Sequence, residues 1–108
     1  MRDSDKIIEK KKALTQYLDD MGALWSYRIG LDTILSDIEL IVKSLTYLEL
    51  EEMDLLFDIF PYETVRDVWI KEMLPSDYNI ILNKILAYLI FKVDNFNEFR
   101  KDVCGKMD

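Results

Sequence analysis

The sequence predicts an all-α fold, a compact bundle of five or six short-to-medium helices. Its 108 residues include only 3 glycines and 2 prolines, too few for the many turns of an all-β protein. Apolar residues make up 50% of the chain and recur at spacings of three and four, while the charged 32% fall between them. A chain of this length is expected to form one core, so we predict a single helical domain over residues 1–108.

The first element is predicted to be an amphipathic N-terminal helix over residues 1–20. Ile7, Leu14, Leu18 and Met21 follow one another at spacings of seven, four and three, which places them on one face of a helix. Four lysines lie off this stripe: Lys6, Lys10, Lys11 and Lys12. We expect the stripe to face the core, and the alternative is that it pairs with its copy in a homodimer.

Residues 21–30 contain two glycines and no clean helical period, which predicts a bend. Trp25 and Tyr27 lie in this bend. We expect both aromatic side chains to pack in the core, as large aromatics commonly do. The alternative is that they are exposed anchors for a protein partner, because Trp and Tyr are enriched at binding hot spots.

The rest of the helical core is predicted over residues 36–103. Ser36 and Glu39 have the spacing of a capping box, which predicts that a helix begins there. The next helix is predicted over residues 49–60 and ends before Pro61. Pro61 then fits the first turn of a further helix, where its missing N–H leaves no bond unmade.

Pro75 is predicted to stop that helix at about Met73, because a proline disfavours helical angles at the preceding residue, here Leu74. The last long helix should start at Ser76 and Asp77. It is apolar almost all round between residues 81 and 90, which predicts a buried, central helix.

A final short helix is expected after residue 93. Asp94 precedes its first aromatic residue, and its carboxylate is predicted to cap the helix.

The residues needed for most kinds of catalysis are missing. The chain has no histidine, which removes the commonest general base and the commonest zinc ligand. Its single cysteine, Cys104, cannot form an intramolecular disulfide or a zinc cluster. Neither a calcium-loop spacing nor a glycine-rich phosphate-binding loop is present. We therefore expect no enzymatic activity, no metal and no cofactor.

The sequence favours a cytoplasmic protein that does not enter a membrane. Its first residues mix carboxylates with the positive charges, unlike a signal peptide. The most apolar window, residues 80–93, is shorter than the roughly 20 residues needed to span a bilayer.

The negative charge is concentrated in the middle of the chain. The net charge is −7, and the whole excess lies between residues 21 and 75. Five carboxylates follow one another there without a basic residue between them: Glu49, Glu51, Glu52, Asp54 and Asp58. An acidic face steers association with basic surfaces. We predict that this face, with Trp25 and Tyr27, binds another protein with a basic surface; the alternative is that it only confers solubility.

A DNA-binding function is the second candidate, because the helices between residues 36 and 73 could form a three-helix, helix-turn-helix-like centre. Arg66 and Lys71 in the helix that would read DNA are outnumbered by carboxylates, and a DNA reader gains affinity from cations. A transcriptional regulator would therefore have to contact DNA through the lysine-rich first helix instead. For this reason nucleic acid is the less favoured partner.

The order of apolar and aromatic residues is similar to that of a group of bacterial proteins. The segments concerned are Leu24-Trp25-Ser26-Tyr27, Leu55-Leu56-Phe57, Val68-Trp69 and Leu82-Asn83-Lys84-Ile85-Leu86-Ala87-Tyr88. They resemble small helical proteins encoded beside AbiE-type nucleotidyltransferases. The resemblance implies an antitoxin-like or other regulatory role in which the partner carries the chemistry. The expected function is thus a non-enzymatic interaction module.

Overall fold

The computed structural model describes residues 3–24 and 35–105 of the chain. This part contains helices, turns and bends and no β-strand, which confirms the predicted all-α class. The α-helices are α1 (Asp3–Asp20), α2 (Asp37–Tyr47), α3 (Met53–Phe57), α4 (Tyr62–Val68), α5 (Ile80–Leu89) and α6 (Phe96–Cys104). A 3₁₀ turn, Leu50–Glu52, precedes α3, and a π-helical turn, Trp69–Met73, continues α4.

The chain divides into two compact units, Met1–Pro61 and Tyr62–Asp108. The first unit contains α1 to α3 and the second contains α4 to α6. That residues 1–108 form a single domain stays a prediction.

In the first unit, α2 packs against both α1 and α3. The buried residues of its core include Leu14, Leu18, Leu40, Ile41, Leu45 and Leu56. Leu14 and Leu18 confirm the inward stripe of the first helix, because residues four apart lie on one face, and Ile7 is half-buried. The polar faces of α1 and α3 therefore point away from this core. Met21, the last predicted member of the stripe, follows the end of α1 at Asp20 and is 43% exposed, so this part of the prediction was wrong.

The start of α2 agrees with the predicted Ser36 cap, which is one half of the predicted capping box. The Ser36 hydroxyl oxygen accepts a hydrogen bond from the Glu39 amide at 3.2 Å and donates one to the Glu39 carboxylate at 2.9 Å. These bonds satisfy a backbone donor that would otherwise be free at the first turn. After α2, Leu48 is extended (φ −73°, ψ 144°), so the chain turns before the acidic segment.

The acidic segment is less regular than predicted. The expected helix over residues 49–60 is a 3₁₀ turn followed by a five-residue α3. The Glu52 carboxylate accepts from the Glu49 amide at 2.9 Å, and the Glu52 amide donates to the Glu49 carbonyl at 2.9 Å. This tight three-residue loop replaces the first turn of the predicted helix.

The core of the second unit is aromatic. Trp69 is fully buried and stacks with Phe91 at 4.4 Å and with Phe99 at 5.9 Å between ring centroids. The helix predicted up to Met73 is present, but its last turn is π-helical. Leu74 keeps helical angles (φ −59°, ψ −37°), so the prediction that Pro75 would exclude them was wrong. The Leu74 amide donates to the Trp69 carbonyl at 2.8 Å, and this bond of the π turn holds the helical conformation.

The prediction of a buried, central α5 was wrong. Asn83, Leu86 and Ala87 are buried, whereas Ile81 and Tyr88 are 72% and 68% exposed. The helix packs on α6 with one side only, so a sequence that is apolar all round leaves apolar residues on the other side. The helix also begins at Ile80, later than predicted.

The last helix begins one residue later than its predicted cap. Asn95, not Asp94, is the N-cap, and its side-chain oxygen accepts from the Glu98 amide at 3.1 Å. Asparagine and aspartate cap equally well, so residue type alone does not distinguish Asn95 from Asp94. Gly105 ends the helix in the left-handed conformation (φ 66°), which glycine adopts without strain.

Candidate protein-binding groove

A groove of about 490 Å³ lies between α1 and α3 in the first unit. It is lined by Lys10, Ala13, Leu14, Tyr17, Asp54, Leu55, Asp58 and Ile59. The α1 residues recur at spacings of three, one and three, which is one face of a helix. The α3 side contributes two adjacent pairs, Asp54–Leu55 and Asp58–Ile59. The pairs are four positions apart, so they again lie on one face. The two helices thus form opposite walls of the groove, and α2 contacts both of them.

The base of the groove is apolar, and its solvent-exposed rim is partly apolar. Leu14 and Ile59 are nearly buried, at 4% and 9% exposure. Leu55 and Tyr17 are 45% and 38% exposed, so they offer apolar surface that the first unit leaves open to solvent. Covering such surface is favourable, because each buried apolar Å² contributes about 25 cal/mol.

Polar contacts join the two walls at each end of the groove. The Lys10 Nζ lies 2.9 Å from Asp58 Oδ2, just after α3. The Tyr17 hydroxyl donates to the Glu52 carboxylate, just before α3. Lys10 and Tyr17 are two turns apart on α1, so the contacts mark the two ends of the groove.

The structure divides the predicted acidic site into two parts. Asp54 and Asp58 line the groove, whereas Glu49, Glu51 and Glu52 lie on the adjoining 3₁₀ turn. Asp54 and Asp58 are exposed, so both carboxylates are accessible on the α3 side. The segment therefore gives the groove an acidic edge that continues onto the turn.

The turn brings two carboxyl groups together. A hydrogen bond with Glu49 raises the pKa of the Glu51 carboxyl, and the negative charge of Glu49 and some desolvation raise it further. Two neighbouring negative charges repel each other, so the state in which both carboxyl groups are ionised is disfavoured. A cation placed beside them would relieve this repulsion.

Trp25 and Tyr27, the two aromatic residues of the predicted site, lie outside the described residues. Their assignment as core residues or partner anchors stays a prediction.

Two lysines of the predicted basic patch on α1 are engaged by carboxylates. Lys10 pairs with Asp58, as above, and the Lys11 Nζ lies 2.8 Å from Asp37 Oδ1. Lys11 also lies over the Phe60 ring, 5.3 Å from its centroid. These contacts lower the net positive potential that α1 presents to a phosphate backbone.

Sequence reasoning did not identify the apolar half of the groove. The predicted site did not include Ala13, Tyr17, Leu55 and Ile59, because the acidic segment was identified by its charge alone. Leu55 carried a usable signal: it is a large apolar residue beside Asp54 and off the inward stripe of Met53 and Leu56. An exposed apolar residue indicates a contact surface when others adjoin it, and Leu55 lines the groove together with the half-exposed Tyr17.

Within residues 3–24 and 35–105, no three histidine, cysteine or acidic side chains are grouped as metal ligands would be. None of the helices described there combines the length and apolarity required to cross a membrane. Comparison with models of known families, with curated proteins and with solved structures gave no match to the chain.

Proposed function

We propose that this protein is a non-enzymatic, cytoplasmic interaction module that binds a protein partner in the groove between α1 and α3. The partner segment would place an apolar side chain in the groove and basic side chains along the acidic edge. The observation that carries the proposal is the combination of an apolar base with an α3 edge formed by Asp54 and Asp58. By this means the protein would regulate or neutralise its partner, as an antitoxin does.

Charge complementarity supports a basic partner. In the part of the chain that the structure describes, Asp58 is engaged by Lys10, but Asp54 makes no ion pair. Glu51 and Glu49 lie three and five positions before Asp54, and the pKa of the Glu51 carboxyl is raised by its hydrogen bond with Glu49 and by the negative charge of Glu49. A lysine or arginine of the partner would gain favourable contacts with this edge, and such contacts mainly raise the association rate.

The same geometry gives less support to an enzyme or a DNA-binding protein. Carboxylates that do acid–base catalysis are usually held in desolvated sites that tune their pKa, whereas Asp54 and Asp58 are exposed. DNA-binding proteins gather cations, whereas Lys10 and Lys11 contact carboxylates. The interaction module is therefore the better supported function.

The test uses the full-length chain as bait in an extract of its source cells, with two charge-reversed variants in parallel. Asp54→Lys reverses one charge at the groove. Asp102→Lys makes the same change on an exposed residue in the last turn of α6, where a cation suits the helix dipole. We expect a partner that is retained by the native chain and by Asp102→Lys and is lost with Asp54→Lys.

The recovered protein is then titrated against each variant at low and at moderate salt. Asp54→Lys should weaken binding by about tenfold or more at low salt, and the difference should shrink as salt screens the charges. Leu55→Asp should weaken binding at both salt concentrations, because it removes apolar contact. Equal retention by the native chain and Asp54→Lys, or no specific protein at all, would contradict the proposal.

A further inference from the structure

A second surface, in the second unit, has different chemistry from the groove. The exposed side of α5 and the turn before it carries Tyr78, Ile81, Ile85, Tyr88 and Leu89, which are 89%, 72%, 45%, 68% and 40% exposed. We call these residues the α5 stripe. Monomeric proteins seldom expose this many adjacent large apolar side chains without a partner.

Charge is absent from the α5 stripe. Lys84 is the only charged residue between Ile80 and Leu89, and it extends over the Phe96 ring of α6, with its Nζ 6.0 Å from the ring centroid. The stripe thus offers no charge that would select a charged partner, whereas the groove between α1 and α3 does.

The spacing of the stripe points to its occupant. On the helix, Ile81, Ile85 and Tyr88 are separated by four and three residues, the spacing of a coiled-coil seam, and Tyr78 lies in the turn just before the helix. The order of the four residues, Tyr-Ile-Ile-Tyr, reads the same in both directions and is centred on residue 83. A second copy that runs antiparallel about a two-fold axis would therefore place Ile81 against Ile85 and Tyr88 beside the turn that carries Tyr78. An isologous interface requires this kind of self-complementarity.

The exposed area is sufficient for a weak dimer. Aromatic side chains bury about 150–250 Å² each when they are covered, so the five residues together offer on the order of 600 Å² per chain. Two copies would bury on the order of 1,200 Å², the lower limit for specific protein–protein interfaces. The ten residues of α5 form about three helical turns, which is a short seam.

We propose that two copies of this chain associate through the α5 stripe as an antiparallel, two-fold symmetric homodimer. The interface consists of two Ile81–Ile85 layers at the centre and, at each end, Tyr88 beside the turn that carries Tyr78. It differs from pairing through the first helix, and it does not depend on the groove between α1 and α3.

Sedimentation of the full-length chain over a concentration range tests the association, with lysine substitutions at two equally exposed isoleucines. Ile85, in the stripe, is 45% exposed, and Ile38, on α2, is 49% exposed. We expect a concentration-dependent monomer–dimer equilibrium for the native chain and for Ile38→Lys, with the dissociation constant raised at least tenfold by Ile85→Lys. If Ile85→Lys lost its helical circular dichroism, Tyr88→Lys, at the more exposed end of the stripe, would replace it.

Two further variants distinguish this interface from other pairings. Ile8→Lys tests pairing through α1, because Ile8 is an exposed apolar residue of that helix. For orientation, Cys104 is replaced by serine, and proteins with Ile81→Cys and Ile85→Cys are oxidised separately and as a mixture. An antiparallel dimer should form disulfides mainly in the mixture, because only facing residues approach within the roughly 7 Å between Cα atoms that a disulfide needs.

Four results would overturn the proposal. These are a monomer at all concentrations, a dimer insensitive to Ile85→Lys, loss of the dimer with Ile8→Lys alone, and efficient disulfides within each single-cysteine protein. The last would indicate a parallel pair. A monomer that instead binds a different protein through Ile85 would assign the stripe to that protein.

Discussion

Asn83 joins two parts of the second unit with its buried side-chain amide. Its oxygen accepts from the Trp69 indole N–H at 3.2 Å, and its amide nitrogen donates to the Met73 carbonyl at 2.9 Å. Asn83→Leu would leave both partners buried without a bond, so we expect a loss of about 2–4 kcal/mol of unfolding free energy. Urea denaturation measures this loss, with Asn97→Leu, at an exposed position of α6, as the control. Equal midpoints for the two variants would show that the bonds contribute little.

Arg100 is a buried cation that bonds to backbone carbonyls and pairs with a carboxylate. Its guanidinium donates to the Leu74 carbonyl at 2.9 Å and to the Pro75 carbonyl at 3.1 Å, and it pairs with Asp77. We expect Arg100→Lys to destabilise the protein by about 2 kcal/mol or more, because one ammonium cannot reproduce this planar set of bonds. Thermal unfolding should separate it clearly from Lys101→Arg at the neighbouring exposed position. A midpoint unchanged by Arg100→Lys would mean that charge alone is sufficient.

Glu51 makes stability depend on pH in a defined direction. Its pKa is raised in the folded protein, chiefly by the hydrogen bond with Glu49 and by the charge of Glu49, so folding favours its protonated form. This contribution is fully present below 4.5, the ordinary pKa of a glutamate, and is lost as pH rises through the folded pKa. Glu51→Gln should reduce the loss as pH rises above 4.5. Thermal midpoints across that range, with Asp102→Asn as the control, test it; a larger loss in the variant would contradict the assignment.

At the scale of the element, a local capping signal can identify a helix start, whereas the burial of a helix depends on its tertiary neighbours. The Ser36 and Glu39 pair identified the start of α2, because capping depends on residues three apart in sequence. The exposure of α5 could not be predicted in this way. Its apolar residues surround the helix, and only the tertiary packing decides which side meets α6.

The same distinction applies to the candidate site. The acidic edge could be read from the sequence, since the carboxylates lie within one segment. The groove itself depends on α1 and α3, and the contact between Tyr17 of α1 and Glu52, just before α3, joins residues 35 positions apart. No local pattern specifies such a separation.

The contact between these elements gives a further prediction. Lys10→Met removes the ion pair with Asp58, in which both side chains are substantially exposed, so we expect a stability change of less than about 1 kcal/mol. It also frees a second carboxylate at the groove, so binding of the basic partner should strengthen. Urea denaturation and partner titration measure the two effects, with Lys12→Met as the charge-matched control. Weaker binding by Lys10→Met would mean that the Lys10 stem is itself a contact.

At the scale of the whole molecule, the net charge of −7 should make folding sensitive to salt. Excess like charge destabilises a folded protein, and salt screens it. We therefore expect sodium chloride to raise the thermal midpoint by a few degrees, and less in a Glu51→Gln, Asp54→Asn double variant. Calorimetry at low and moderate salt measures both. A midpoint that falls with salt would show that attractive pairs such as Lys11–Asp37 outweigh the repulsion.

The two contacts that join the walls of the groove set a limit on what it can recognise. Lys10 and Tyr17 are seven residues apart, and a helix rises about 1.5 Å per residue, so the open length is roughly 10 Å. That length accommodates one or two large side chains and no extended helix. A recognition motif for this protein should therefore be short: a leucine, methionine or phenylalanine with a lysine or arginine within one turn of it.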